Sequence, residues 1–283
     1  PAAGELPTPL MQAIARELNL SETTFVTPAR DALHDFRVRI FTPLAELPMA
    51  GHPTVGTAYV LTREGLIAGS EAETQIKFEE GVGTIPVAIK FKDGAPDWIE
   101  MQQPLPVFGP QLTEIEAVAE MLSLDAEAIR ATGLPLEVVS CGVPFLYVPV
   151  KSLEAIRRAR FRMEVWEREF RDVFSPQVFL FTEEVETPGS RVHSRMFAPA
   201  LGITEDPATG AASGPLGCYL VRHKVVAEAT HVEIISEQGF EINRRSFIKI
   251  GIEQRAGDIT RVTVSGQCRL MGAGYFELDD DAV

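Results

Sequence analysis

The 283-residue sequence predicts an α+β chain of two similar lobes, each a mixed sheet with one central apolar helix. The first observation behind this is a short repeat. His52-Pro53-Thr54-Val55-Gly56-Thr57-Ala58 and Asp206-Pro207-Ala208-Thr209-Gly210-Ala211-Ala212 share one pattern: a polar residue, proline, two small or β-branched residues, glycine, a small residue and alanine. The second is that each copy runs into an apolar stretch, Tyr59-Val60-Leu61 in one and Leu216-Gly217-Cys218-Tyr219-Leu220 in the other. The third is that strand-like runs crowd both halves without the regular strand–helix alternation of a doubly wound sheet. The length suits two domains of ordinary size.

The repeat reads as two helix starts aimed at a ligand. His52 and Asp206 are the expected N-caps, with Pro53 and Pro207 at N1, where a missing N–H costs nothing. The small residues allow a ligand to approach the free N–H groups of the first turn. Two such starts in one chain suggest two lobes serving a shared site.

Along the chain, Thr8-Pro9 opens a helix with Leu10, Ile14 and Leu18 on one face. Phe36 to Phe41 alternates apolar and basic residues, the pattern of a half-buried strand. The first repeat helix follows and stops near Gly65. Strands are expected at Gln75–Phe78, Thr84–Phe91 and Trp98–Met101. Thr113 with Glu116 has the spacing of a capping box, opening a helix to about Leu122. A short helix from Asp125 to Thr132 stops at Gly133. Strands return at Val138–Ser140 and Pro144–Val150, and Ser152 opens a charged helix towards Arg171. After strands at Val178–Phe181 and Arg191–Phe197 comes the second repeat helix, to about His223. Strands at His231–Ile235, Ser246–Ile252, Ile259–Val264 and Tyr275–Leu278 finish the chain. The lobe boundary falls between Pro104 and Gly133. Residues 1–115 form the N-terminal lobe and 116–283 the C-terminal lobe, with the last strands open to exchange between them.

Composition narrows the function. A formal net charge of −14 argues against nucleic acid or an anionic membrane as partner, since both need a basic surface. A small anionic substrate remains compatible, because a local pocket can oppose the global sign. Three cysteines without a C-x-x-C spacing point to a reducing, cytoplasmic setting. Neither a membrane span nor a signal peptide is visible in the sequence.

Glu46 sits in Leu44-Ala45-Glu46-Leu47-Pro48-Met49, a nearly apolar context. Buried there, it would have a raised pKa and could both take and give a proton. The bland reading is a surface glutamate on a turn. Asp206 reads as a helix cap, a role that does not exclude a ligand contact. His52 is a cap or a substrate contact rather than a metal ligand. The remaining histidines lack metal-binding spacing, so no metal site is expected. Cys218 falls inside an apolar helix and reads as core. Gly81-Val82-Gly83 and Gly272-Ala273-Gly274 complete no nucleotide-binding fingerprint. Arg157, Arg158, Arg160 and Arg162, followed by Glu164, Glu167 and Glu169, read as a solvated helix face.

Two motifs resemble a known family. Glu46-Leu47-Pro48-Met49-Ala50-Gly51-His52-Pro53-Thr54 resembles the E-x-P-x-A-G-H-P-T signature of the PhzF family, the phenazine-biosynthesis-type isomerases, and Glu205-Asp206-Pro207-Ala208-Thr209-Gly210 its E-D-P-x-T-G. Weaker matches are the stretch from Ala15 to Thr23, Cys141-Gly142-Val143-Pro144-Phe145, and Gln238-Gly239. The resemblance implies a diaminopimelate-epimerase-like fold: two pseudo-symmetric lobes, each a curved mixed sheet wrapped around a central helix. It also implies a homodimer, no cofactor, Glu46 as the acid/base glutamate and Asp206 as the aspartate of the second motif. The family leads one to expect an opening strand with a G-N-P motif ahead of Pro1. Where relatives often carry Ser, this chain has Ala211, with Ser213 two residues on. Their G-R-P-S is here Asn243-Arg244-Arg245-Ser246. The cysteines of two-base epimerases are absent, with Ala50 and Pro207 near their places.

A single carboxylate suits removing a proton and returning it to another carbon on the same face. The expected activity is therefore a cofactor-free isomerisation of a small unsaturated or amino carboxylic acid. Glu46 would shuttle the proton, and Asp206 would bind a substrate amino or hydroxyl group or orient Glu46. The amides at Gly51-His52 and Gly210-Ala211 would hold the carboxylate. Thr209, Gly210, Ala211 and Ser213 complete the expected substrate contacts. The alternatives are an epimerase or racemase with Glu46 and Asp206 as opposed bases, and a non-catalytic metabolite-binding or protein-interaction member on the same fold.

Overall fold

A computed structural model of the chain describes residues 6–69, 72–172, 177–275 and 277. It separates into two compact units, Pro1–Gln102 with Ser265–Val283, and Gln103–Val264. The division falls earlier than the boundary at 115 expected from sequence. The reason is the strand Val107–Leu112, which had no clear sequence signal. It pairs antiparallel with Leu136–Ser140 and belongs to the second unit.

In the first unit, helix α1 (Thr8–Leu18) leads to strands β1 (Thr23–Thr27), β2 (Phe36–Phe41) and β3 (Glu46–Leu47). Helix α2 (Gly51–Arg63) and strands β4 (Glu73–Glu80), β5 (Gly83–Lys92) and β6 (Ala95–Gln103) follow. The strand order is β1-β2-β4-β5-β6, with β3 on β2. Among the described residues of this unit only β2 and β4 pair in parallel, and α2 makes that crossover. α1 buries Met11 and Ala15, a stripe rotated from the expected Leu10–Ile14–Leu18 face. Met11 and Ala15 join Phe25 and Phe41 in a small core.

The second unit begins with β7 (Val107–Leu112), α3 (Ile115–Met121), α4 (Ala126–Arg130), β8 (Leu136–Ser140) and β9 (Pro144–Pro149). Then come α5 (Leu153–Arg158), α6 (Met163–Glu169), β10 (Val178–Thr182), β11 (Val192–Ala198) and β12 (Ile203–Asp206). Helix α7 (Gly210–Arg222) and strands β13 (His231–Gln238), β14 (Ser246–Arg255) and β15 (Asp258–Gly266) complete it. The sheet runs β15-β14-β13-β11-β10-β9-β8-β7, with β12 on β11. Helices α3 to α6 cover one core around Val118, Met121, Leu146, Val148, Ile156, Val165 and Leu180.

The predicted repeat is present as topology. β1-β2-β3-α2-β4-β5 and β10-β11-β12-α7-β13-β14 share one wiring: antiparallel, antiparallel, a helical crossover to a parallel strand, then antiparallel. Its register differs from the sequence reading. α2 starts at Gly51 and α7 at Gly210, so Gly210 corresponds to Gly51 and not to Gly56.

α7 is buried as its sequence implies, whereas α2 is buried on one face and leaves Val60 exposed. α7 is inaccessible from Gly210 through Leu220, Cys218 included. Gly217 permits this, since a Cβ there would lie 2.6 Å from Ile250 Cγ2 on β14. No helix is long and apolar enough to cross a membrane among the described residues.

Three local expectations fail. The helix from Ser152 towards Arg171 is two helices, α5 and α6, because the link between them is tied sideways: Arg160 N donates to Leu122 O and Arg162 N to Met121 O. Thr113 and Glu116 form no capping box. α3 is entered from Glu114 without a side-chain cap. By contrast, Asp125 and Ser152 do cap α4 and α5. The expected strand Tyr275–Leu278 is not formed at Tyr275, and residues 276 and 278 lie outside the described residues.

Candidate active site

In the first unit, the candidate site is built around the start of α2. Ala50, extended at φ −149° and ψ 149°, is the N-cap, and Gly51 and His52 occupy the first turn. His52 is therefore inside the helix and does not cap it. The first-turn N–H groups of a helix have no acceptor within the helix, and the helix dipole adds positive potential there. Pro53 costs nothing this early in the helix.

His52 Nε2 lies 3.1 Å from Glu22 Oε2. The Glu22 side chain is only 6% exposed, whereas that of His52 is 39% exposed. Asn19 explains how Glu22 reaches this place. It ends α1 in the left-handed region at φ 50°, and the chain turns through Leu20-Ser21-Glu22 into β1. One step along, Thr57 on α2 donates to Thr24 on β1 at 2.9 Å, fastening helix to strand.

Glu46 is placed differently from the expectation that it is buried. It starts β3, is exposed, and accepts both Arg39 Nε at 2.8 Å and Arg39 Nη2 at 2.7 Å. These hydrogen bonds to Arg39 lower its pKa, outweighing partial burial. Of the apolar neighbours that suggested burial, Met49 is buried but Leu44 is itself 56% exposed. β3 is short, and Glu46 pairs in register with Phe41 two positions from Arg39 on β2. A carboxylate held ionised by a bidentate guanidinium is a poor proton shuttle.

In the second unit, Asp206 ends β12, opposite Met196 on β11. It is 1% exposed. It is not the cap expected from sequence, since Thr209 precedes α7 as N-cap. Strand pairing holds Asp206 three residues ahead of that cap. Thr209 Oγ1 donates to Asp206 Oδ2 at 2.6 Å. Gln238, at the end of β13, fixes the whole turn: its Nε2 donates to Asp206 O and Thr209 Oγ1, both at 2.8 Å, and its Oε1 accepts Thr209 N at 3.1 Å. Gly239 follows at φ 79°, where a Cβ would meet Arg244 O at 2.4 Å and Pro207 O at 2.8 Å. Gly210 and Ala211 open α7 and are buried, and Ser213 spends its hydroxyl proton on Thr209 O at 2.9 Å.

Behind this turn lies a buried charged cluster. His193 bridges Glu237 and Glu241, both at 2.9 Å. Arg195, 3% exposed, is bidentate to Glu205 at 2.9 and 2.6 Å. Glu205 and Glu237 flank Asp206 and Gln238 in sequence, so the strands' alternation puts the ion pairs on one face and the site residues on the other.

Glu22, buried beside His52, was not singled out from the sequence. Its signal was present, because Leu20-Ser21-Glu22-Thr23 lies inside the weaker family-like stretch.

The family model for phenazine biosynthesis-like proteins, PhzC-PhzF, matches residues 1–274. The chain belongs to this family. Among PhzC-PhzF relatives, the trans-2,3-dihydro-3-hydroxyanthranilate isomerase of Pseudomonas fluorescens is 36% identical over 282 residues, covering 98% of this chain and 91% of the relative. A solved PhzF-family protein of Bacillus anthracis superposes with a TM-score of 0.82 at 28% identity, covering 94% of this chain and 87% of that one. A probable proline racemase of Agrobacterium radiobacter K84 shares the fold at TM-score 0.67 and 13% identity, with 97% and 83% covered. The chain is thus a PhzF-type isomerase on a diaminopimelate-epimerase-like α+β fold.

Proposed function

We propose that the protein isomerises a small unsaturated or amino carboxylic acid without a cofactor, with Glu22, in place of Glu46, carrying the proton. The observation that supports this most is the pairing of a buried Glu22 with His52 at the anion-accepting start of α2, while Glu46 is exposed and locked to Arg39. The reaction balances within the substrate. Glu22 takes a proton from one carbon, and the C–H pair becomes a new C=C bond. The former double-bond pair then takes the proton back from Glu22 at another carbon. His52 holds Glu22 in place.

The Gly51 and His52 amides bind the substrate carboxylate in this reading. Asp206, held by Thr209 and Gln238, accepts a hydrogen bond from a substrate amino or hydroxyl group. The Gly210 and Ala211 amides offer a second anion-accepting turn. The first substrate to test is trans-2,3-dihydro-3-hydroxyanthranilate, named for the Pseudomonas relatives. Wild type in deuterated water is expected to form product with solvent deuterium incorporated, and Glu22→Gln to form none. Full turnover by Glu22→Gln would refute the assignment. A homodimer is proposed on the family resemblance, to be checked as twice the 31.0 kDa chain mass by light scattering.

A further inference from the structure

A second buried carboxyl stands behind the start of α2 and has no part in the chemistry above. Glu80 ends β4 and is 6% exposed. Its Oε1 lies 2.5 Å from Thr54 Oγ1, and that hydroxyl lies 2.7 Å from Ala50 O. A threonine hydroxyl carries one proton, and a carbonyl oxygen can only accept. Thr54 thus has one proton for two acceptors as long as Glu80 is ionised, whereas a protonated Glu80 can donate to Thr54 and let both short contacts carry a hydrogen. The other oxygen, Oε2, is buried with no hydrogen-bond partner among the described residues, an arrangement a neutral acid tolerates far better than a carboxylate. Burial pushes the Glu80 pKa up to about 8, outweighing the hydrogen bond that Thr54 could donate to the ionised form.

Glu80 is also clamped in position. Val82 N donates to Pro48 O at 3.0 Å, and a Cβ on Gly81 would lie 2.7 Å from Pro48 Cα. The turn after Glu80 is thus pressed against the segment that enters α2. The other titratable groups on the surrounding elements are engaged elsewhere or distant. On α2, His52 faces Glu22, and Tyr59 and Arg63 lie further along the helix. On β4, Glu79 faces Arg30 and Arg37. Glu46 on β3 is held by Arg39 of β2. On β5, Glu80 pairs with Gly83, while Lys90 and Lys92 stand at the strand's far end.

We propose that Glu80 is a positioning residue: as a neutral acid it holds Thr54, the Ala50 carbonyl and the first turn of α2 ready for an anion, and its ionisation weakens anion binding there. This rests on the reading that the α2 start receives the substrate carboxylate. An ionised Glu80 takes the Thr54 proton for itself, which releases Ala50 O. It also adds a negative charge to the turn, opposing an incoming anion by a factor on the order of ten at an effective dielectric constant of about 20.

The test is calorimetric binding of anthranilate, ionised throughout, between pH 6.5 and 9.5. Wild type is expected to bind roughly ten-fold more weakly at the alkaline end, with a midpoint near the Glu80 pKa of about 8. In Glu80→Gln, which cannot ionise, the ratio of Kd values between the two ends is expected to stay near one. Thr54→Val, which breaks the bridge to Ala50, is expected to weaken binding already at pH 7 and serves if Glu80→Gln does not fold. Equal alkaline weakening in wild type and Glu80→Gln, or unchanged pH 7 affinity in Thr54→Val, overturns the inference alone. No anthranilate binding by wild type at pH 7 overturns the carboxylate-binding reading and this inference with it.

Discussion

Glu22 and His52 meet at 3.1 Å, the carboxylate buried and the imidazole partly exposed. The contact joins the end of the α1–β1 turn to the first turn of α2. It couples a buried carboxylate to the start of α2, where first-turn N–H groups favour an anion. Glu46, in the stronger sequence motif, makes no such contact and instead forms an ion pair with Arg39.

These two glutamates should therefore separate cleanly in kinetics. Glu22→Gln is expected to lower isomerase kcat by about 10²–10⁴-fold, the usual range for losing a general acid/base. Glu46→Gln removes an exposed ion pair and is expected to stay within about three-fold of wild type, since such pairs contribute little. Steady-state rates of both variants, with circular dichroism to confirm folding, check this. A larger loss in Glu46→Gln than in Glu22→Gln would restore the sequence-based assignment.

Gln238 anchors Asp206 and Thr209 through three hydrogen bonds. Gln238→Ala leaves the Thr209 N–H and the Asp206 carbonyl buried without that partner. A loss of about 2–6 kcal/mol is expected, from roughly 1–3 kcal/mol for each of the two groups. Urea unfolding measures it. KM should rise with it if the turn binds substrate.

The cluster of His193, Glu237 and Glu241, with Arg195 and Glu205 beside it, predicts a stability optimum. Burial alone would lower the His193 pKa, but the bonds to Glu241 and Glu237 outweigh it and raise it. A raised histidine pKa contributes stability that is full below its unfolded value, about 6.5, and is lost as pH rises through the folded value. Burial tends to raise the Glu237 and Glu241 pKa values, yet hydrogen bonds lower both. Glu237 accepts from Glu186 N, Thr187 N and His193, and Glu241 from His193. Their contribution is present above their unfolded value and is lost as pH falls through the folded one. Tm should peak between about pH 4.5 and 6.5. His193→Gln should flatten the alkaline side in scanning calorimetry, and an unchanged profile would exclude the cluster as its source.

Gly217 sets how closely α7 approaches β14. Gly217→Ala places a methyl group 2.6 Å from Ile250 Cγ2. Overpacking of this kind costs about 1–3 kcal/mol, more than the helix propensity gained. Gly56, with nothing within 4 Å of a built Cβ, is the control, and Gly56→Ala should be neutral or stabilising.

Sequence alone determined the α+β class, the two central helices and the neighbourhood of both helix starts. These follow from local composition. Proline and small residues mark a first turn wherever it lies, and an all-apolar run such as Leu216–Leu220 must be buried. Tertiary structure decided what local composition cannot encode. The repeat's register depends on strand pairing: Asp206 is held on β11 ahead of the cap, while His52 enters its helix directly. The ionisation of Glu46 depends on Arg39, which reaches it across the β2–β3 pair rather than along the chain. Glu22 gains its place only when α1 ends at Asn19 and β1 packs beside α2. A carboxyl's proton affinity is set by burial and by partners in space, so the pKa values of Glu46, held by Arg39, and of Glu80, buried beside Thr54, move in opposite directions only once the chain has folded.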